Sequence, residues 1–340
     1  MPVIFCGDTA VPFSAEPHFD AVRPLFDGCS AIVNLEGAIL PDCKATEDYR
    51  YFDKFSVYSA PVVIEMLKAL NVKAVSLCNN HILDFRHPIS HTVNLLKANG
   101  IASFGLNNHE VLPMEMDGRR MFVVTFATFA CEHSLPLFVP SKVVGEVASL
   151  RRRNPDALIA VYPHWGREKF YLPDPADREL AHRLVDAGAN LIVGHHPHIV
   201  QPIEHYKGVS IIYSLGNFFM AQADYAGKTL RFALSEMRNE AVLKWDGENI
   251  ELIPLLFDPD ANTLMPGEPS ALDRHFDAIA PDTTPGAYRS MVRKASSITD
   301  NAFRTRLFDS DFGERLCYAQ RTLFRNVRRA AIKFGAHRPK

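Results

Sequence analysis

Only six of the 340 residues are cysteine, at 6, 29, 43, 78, 131 and 317, and no two form a CxxC pair. This excludes a thiolate zinc site and a disulfide framework, and free thiols are expected, with Cys6 and Cys78 as small buried fillers. Also lacking is any run of the ~20 consecutive apolar residues that a bilayer-spanning helix requires. The opening MPVIFCGDTA has neither the basic stretch nor the continuous apolar segment of a secretory signal and reads as a first strand. A cytoplasmic location follows as the expectation, with peripheral membrane contact left open. There is no internal repeat and no low-complexity tract, and a net charge of −2 with 47% hydrophobic residues describes a globular chain.

One absence is local. From Arg315 onward no acidic residue occurs, while basic residues recur to Lys340. Leu316, Leu323, Val327, Ala330 and Phe334 fall on one helical face, with Arg321, Arg325, Arg328, Arg329 and Lys333 nearby. Two uses fit such a helix: packing on the main domain, or docking on an anionic membrane surface or a protein partner. Specific nucleic-acid binding is not expected, because no recognisable module accompanies the charge.

The first 215 residues alternate short apolar runs with amphipathic segments. Strands are expected at 3–6, 31–34, 72–77, 157–162 and 190–193. Between them Ser59 is expected to cap a helix carrying Val63, Leu67 and Leu70, and Ser90 another that closes at Asn99-Gly100. Asp174 and Pro175 open a third, which Gly188 follows. This order implies βαβ units and parallel pairing. Hairpin turns at Asp117-Gly118, Lys207-Gly208 and Asp246-Gly247 add antiparallel strands. Two sheets packed face to face with helices outside are therefore predicted for residues 1–265. A helical, basic appendage is predicted for 266–340.

In a parallel sheet the loops at the carboxyl ends of the strands share one edge. Here those positions hold Asp8, Glu36, Asn80, His81, His164 and the histidines of GHHPH at 194–198. Carboxylates, imidazoles and a carboxamide are ligands suited to zinc, manganese or iron. Asn217 follows another strand and is expected at the same edge, as support or as a substrate contact.

The runs GD at 7–8, NLEG at 34–37, NNHILD at 79–84, HWGRE at 164–168, GANLIVGHHPHIVQPIE at 188–204 and YSLGNF at 213–218 resemble, in order and spacing, those of the CapA/PgsA-type proteins of capsule and poly-γ-glutamate synthesis. That family is similar to calcineurin-like metallophosphoesterases. The resemblance implies an α/β/β/α four-layer sandwich with two divalent ions (Mn, Zn or Fe). It also implies ligands at Asp8, Glu36, Asn80, His164 and two of His195, His196 and His198. His196 and His198 keep the HxH spacing, while His195 keeps the Gly-His adjacency and is the candidate substrate contact. His81 resembles the histidine that stabilises the transition state or protonates the leaving group, with Asp84 orienting it. Arg167 and Glu168 are placed at the pocket mouth, Arg167 being suited to forked contacts with phosphate or carboxylate. The implied reaction is hydrolysis of a phosphate ester on a small-molecule or polymer substrate, with metals about 3.5–4 Å apart. The alternative is a non-catalytic accessory of polymer synthesis or export. Two departures bear on the metals: Asp8 is followed by Thr9 and Ala10 where the broader pattern has Asp-x-His, and Asn34-Leu-Glu36 stands where it has Gly-Asp.

Overall fold

The computed structural model describes residues 1–49, 55–107, 110–128, 138–232, 235–276, 279–280 and 282–307. In chain order the strands are β1 (Val3–Ala10), β2 (Ser30–Leu35), β3 (Ala38–Ile39), β4 (Tyr58–Ser59), β5 (Val72–Ser76), β6 (Ala102–Phe104), β7 (Glu110–Met116), β8 (Arg119–Ala127) and β9 (Leu158–His164). They continue with β10 (Leu191–Val193), β11 (Ile203–Tyr206), β12 (Val209–Ile212), β13 (Asn217–Met220), β14 (Asp224–Tyr225), β15 (Lys228–Thr229), β16 (Asn239–Trp245), β17 (Ile250–Asp258) and β18 (Thr263–Pro266). The helices are α1 (Val63–Ala69), α2 (Ile89–Ala98), α3 (Pro140–Arg153), α4 (Pro175–Asp186), α5 (Asp273–Phe276) and α6 (Pro285–Leu307).

One sheet runs β18-β17-β16-β1-β2-β5-β6, and a second runs β11-β12-β10-β9-β8-β7. The strands joined by helices pair in parallel, β2 with β5, β5 with β6, and β8 with β9, and β1 also pairs in parallel with β2. Alternate residues of each strand face opposite sides. Val3, Phe5, Ile32 and Ala74 of the first sheet therefore meet Val123, Ala160, Leu191 and Ile212 of the second in one core. On the outer face of the first sheet, Ile4, Val33 and Val75 pack with Met66 and Leu67 of α1 and Leu96 of α2. Helix α3 lies on β9 of the other sheet. The architecture is thus the α/β/β/α four-layer sandwich that the motif resemblance implies.

The two short hairpins form as read. Asp117-Gly118 and Lys207-Gly208 both take positive φ at each position, which matches the right-handed twist of the strands they join. The third is longer: β16 and β17 pair to Trp245 and Ile250, so the loop spans 246–249, held by Asp246 Oδ1 accepting from the amides of Glu248 and Asn249. Neither serine cap forms. Ser59 lies in β4, where its Oγ accepts from the Val11 amide at 3.1 Å, and α1 starts after Val62 with no side-chain cap. Helix α2 starts after Pro88, whose extended backbone sets the boundary and leaves Ser90 inside the helix.

The chain divides into two compact units. Residues 1–173 and 181–281 form the sandwich. The other unit takes 174–180 and, among the described residues, 282–307; within it the Arg178 guanidinium lies 4.9 Å above the ring of the buried Tyr288. The basic face at 316–334 lies outside the described residues. Among the described residues, no helix is long and apolar enough to cross a membrane, and Cys6, Cys29, Cys43 and Cys78 are free thiols.

One edge of β1 serves two partners. Val3–Phe5 pair with the antiparallel β16, and from Asp8 to Ala10 the parallel β13 takes over. The handover needs Gly7, because a Cβ there would sit 2.0 Å from the backbone oxygen of Gly216. Backbone cannot yield as a flexible side chain can, so Gly7→Ala is expected to cost about 2 to 3 kcal/mol of stability in urea unfolding. A loss under about 0.5 kcal/mol would mean that β13 can leave β1 freely.

Candidate metal centre

Register brings the first residues together without help from long side chains. Asp8 stands directly opposite Asn34 of β2 on one side and Asn217 of β13 on the other. Asn34 Nδ2 donates to Asp8 Oδ1 at 2.8 Å, and Asn79 Nδ2 donates to Asn34 Oδ1 at 3.3 Å and to the Leu35 oxygen at 2.8 Å. Glu36, just past β2, is buried. The loop after β5 supplies Asn80, His81 and Asp84, and β9 ends in His164. The loop after β10 supplies His195, His196 and His198.

That last loop is conformationally costly. His196 has φ +102° and His198 φ +58°, where side chains are rarely found. A compensating bond comes from the His196 amide, which donates to Asp8 Oδ2 at 2.9 Å. Strain of this kind persists where surrounding contacts over-determine it, commonly at functional sites.

The donor atoms converge. His195 Nδ1 is 3.3 Å and His164 Nδ1 3.7 Å from Asp8 Oδ1, and His198 Nδ1 is 3.4 Å from Asp8 Oδ2. Glu36 Oε1 lies 3.8 Å from His81 Nε2 and 4.0 Å from Nε2 of both His164 and His198. His164 Nε2 is 2.7 Å from Asn80 Oδ1 and 3.1 Å from His196 Nδ1, while its Nδ1 is 2.8 Å from His195 Nδ1. Among the described residues, three triads have ligand atoms all within 4.8 Å of one another: Asp8–His164–His195, Glu36–His164–His196 and Asp8–Glu36–His198.

Burial sets the charges. It depresses the His164 imidazolium far below its usual range, helped by the surrounding histidines, and lowers His196 to about 3 against the opposing pull of Glu168. Both rings are therefore neutral bases with a lone pair to offer. Burial pushes Asp8 up, but the hydrogen bond from His195 and the neighbouring imidazoles outweigh it and hold the carboxyl below its ordinary value. Neutral imidazoles beside buried carboxylates, with ring nitrogens facing one another at hydrogen-bond distance and His195 Nε2 buried without a hydrogen-bond partner, are a donor set that a divalent cation fits. The nitrogen and oxygen mixture suits Mn, Zn or Fe.

Two residues offered as substrate contacts are buried inside the site. Asn217 is not open to substrate: it is 2% exposed, its Oδ1 is 2.8 Å from His198 Nδ1, and its Nδ2 donates to Glu240 Oε1 at 3.1 Å. Both ends of the amide are taken. His195 is fully buried, with its ring 4.4 Å from that of Tyr162, and faces Asp8 rather than solvent. It joins the donor cluster alongside His196 and His198 instead of lining the mouth. Of the pair at 167–168, the Arg167 guanidinium lies 3.4 Å over the Phe170 ring, and Glu168 is near enough to His196 to favour its charged form.

Asn34 and Asn79 stand in the quoted motifs without an assigned role, and Tyr162 and Glu240 stand in none of them. Glu240 carried a readable signal, an acidic residue directly before the apolar run Ala241–Leu243 of β16.

If the cluster holds a cation, added Mn²⁺ stabilises the folded state by about 2.7 kcal/mol at a hundred times its dissociation constant. A rise in the thermal unfolding midpoint would register this. His164 belongs to two of the three triads, so His164→Ala should abolish the rise.

The sequence profile described as "Bacterial capsule synthesis protein PGA_cap" matches residues 5–222. A Bacillus subtilis protein described as "PGA biosynthesis protein CapA" is 28% identical over 227 residues, covering 61% of this chain and 58% of its own. The "Capsule biosynthesis protein CapA" of Bacillus anthracis is 28% identical over 278 residues, covering 75% of this chain and 64% of its own. A "Probable polyglutamine synthesis accessory protein" of Mycobacterium tuberculosis is 31% identical over 211 residues, covering 55% of this chain and 54% of its own. The chain thus spans between half and two thirds of the length of these curated relatives. Its match to the profile includes Asp8, Glu36, the NNHILD run, His164, the GHHPH run and Asn217, and on that match the chain belongs to the bacterial capsule synthesis protein family, PGA_cap.

Proposed function

We propose that this chain is a metal-dependent hydrolase of the metallophosphoesterase type that cleaves a phosphate ester during the making of a capsular or poly-γ-glutamate-like polymer. The observation that carries the reading is the pairing of His81 with Asp84 beside the donor cluster. His81 Nδ1 is 2.5 Å from Asp84 Oδ2, and its Nε2 faces Glu36. Asp84 Oδ2 also accepts from the Val57 amide at 2.9 Å, and the His81 amide donates to Asn79 Oδ1 at 3.1 Å, so ring and carboxylate are both held. With Nδ1–H committed to Asp84, the doubly protonated ring would give its Nε2 proton to the leaving oxygen and be left as the neutral Nδ1–H form.

Divalent ions, two in this reading, would supply Lewis-acid stabilisation of the phosphoryl charge. Asp8, Glu36, Asn80, His164 and the histidines at 195, 196 and 198 would hold them. Arg167, one turn of chain from His164, is the candidate contact for the substrate's anionic groups.

A second reading has one observation in its favour. At the position two after Asp8, where the broader phosphoesterase pattern carries a histidine, stands the buried Ala10. A site missing that imidazole fits an accessory protein that binds metal and turns nothing over, and a relative's name contains the word accessory.

Assays with phosphomonoester and phosphodiester substrates and added Mn²⁺ separate the two. On the hydrolase reading, His81→Ala lowers kcat by about 10²- to 10⁴-fold while the bound-metal stoichiometry stays unchanged. Asp84→Asn gives a smaller fall in the same direction. Wild-type protein that binds Mn²⁺ and hydrolyses neither class would decide for the accessory reading.

A further inference from the structure

Glu240 enters none of the motifs, yet it sits at the end of a chain of contacts that leads into the donor cluster. It lies in β16, is 1% exposed, and receives Asn217 Nδ2 on its Oε1 at 3.1 Å. In this arrangement the Asn217 NH₂ group is turned to a carboxyl oxygen of Glu240 and its Oδ1 faces His198. His198 Nδ1, 2.8 Å from this oxygen, then has to carry the ring proton. The lone pair is left on Nε2, the nitrogen that looks toward Glu36 at 4.0 Å.

We propose that Glu240 is a positioning residue for the metal centre: acting through Asn217, it fixes His198 as the Nδ1–H tautomer and so presents Nε2 as the ligating atom. Partners of this kind fix ligand tautomer and ring orientation in metal sites generally. Their effect is large where the ligand has a choice, and His198 has one. Its backbone is at φ +58° and its side chain is 12% exposed, the least enclosed of the three histidines in the run. Asp8 Oδ2 also faces His198 Nδ1, at 3.4 Å, but that oxygen already accepts the His196 amide at 2.9 Å. The Asn217 contact is shorter by more than half an ångström. The geometry of the backbone supports the same arrangement: Gly216, just before Asn217, has no side chain, and a Cβ there would lie 2.3 Å from Glu240 Oε2. The close approach of Glu240 to this turn therefore depends on the glycine.

The consequence for metal binding rests on the metal-centre reading above, but the tautomer is readable without any metal. In ¹⁵N-labelled metal-free protein, two-bond ¹H–¹⁵N correlations report which ring nitrogen of His198 is protonated, with the signals assigned by their loss in His198→Gln. Wild type is expected as the Nδ1–H form. Glu240→Gln, which keeps an acceptor for Asn217, should retain it. Glu240→Leu should give a mixture of tautomers and weaken Mn²⁺ binding, measured by calorimetry, about 10- to 100-fold. Asn217→Ala should behave like Glu240→Leu, and the double variant should be no worse than either single one, because the two residues act in series. If Glu240→Leu does not fold, Asn217→Ala carries the test alone. A folded Glu240→Leu or Asn217→Ala that keeps a pure Nδ1–H signal overturns the proposal. Failure of the wild type to bind Mn²⁺ would instead remove the metal-centre reading and leave the tautomer result standing.

Discussion

A carboxylate buried as completely as Asp8 is tolerable only when donors surround it, and that requirement organises the whole edge of the sandwich. Asn34 reaches it from β2, the His196 amide from the loop after β10, and His195 and His198 face its two oxygens. These donors come from two separate parts of the chain, β2 and the loop after β10. Satisfying one side chain therefore fixes the relative position of a neighbouring strand and of a loop from the opposite sheet. The residue with the unusual backbone, His196, is also the one whose amide donates to Asp8.

The second organising feature is the route of the chain between the sheets. β12 ends the parallel part of one sheet, and four residues later β13 pairs with β1 in the other. Tyr213–Gly216 makes this crossing, and it is narrow: Gly7 and Gly194 each have a backbone carbonyl of this stretch about where a Cβ would go. The crossing puts Asn217 in line with Asp8 and draws the histidine loop of one sheet over the carboxylates of the other. A centre assembled in this way is supported from both sheets.

Electrostatics and packing then act together. Enclosure keeps His164 and His196 neutral at any ordinary pH, which is the state a metal ligand needs. The same enclosure would make the converging acceptors costly without a cation. Membership of the capsule synthesis family is compatible with several chemistries. The fold alone does not choose among them, because function resides in the site and not in the scaffold. What favours hydrolysis is His81, whose proton position is set by Asp84 on the side away from the donors.

The sequence by itself determined the alternation of strands and helices, the two tight hairpins and the set of residues at the strand ends, because period-two burial, turn chemistry and side-chain type are local properties. Ser59 and Ser90 looked like caps for the same local reason, and tertiary structure overrode both: strand pairing claimed the first hydroxyl, and Pro88 moved the helix start past the second. Only the fold decided that His195 faces inward, that Asn217 is held at both ends of its amide, and that Glu240 of β16 stands behind it. These facts depend on which strand lies beside which. A histidine or a glutamate in a sequence carries no mark of the neighbour that will bind its proton, since that neighbour is supplied by chain that lies, for the His196 amide and Asp8, 188 positions away.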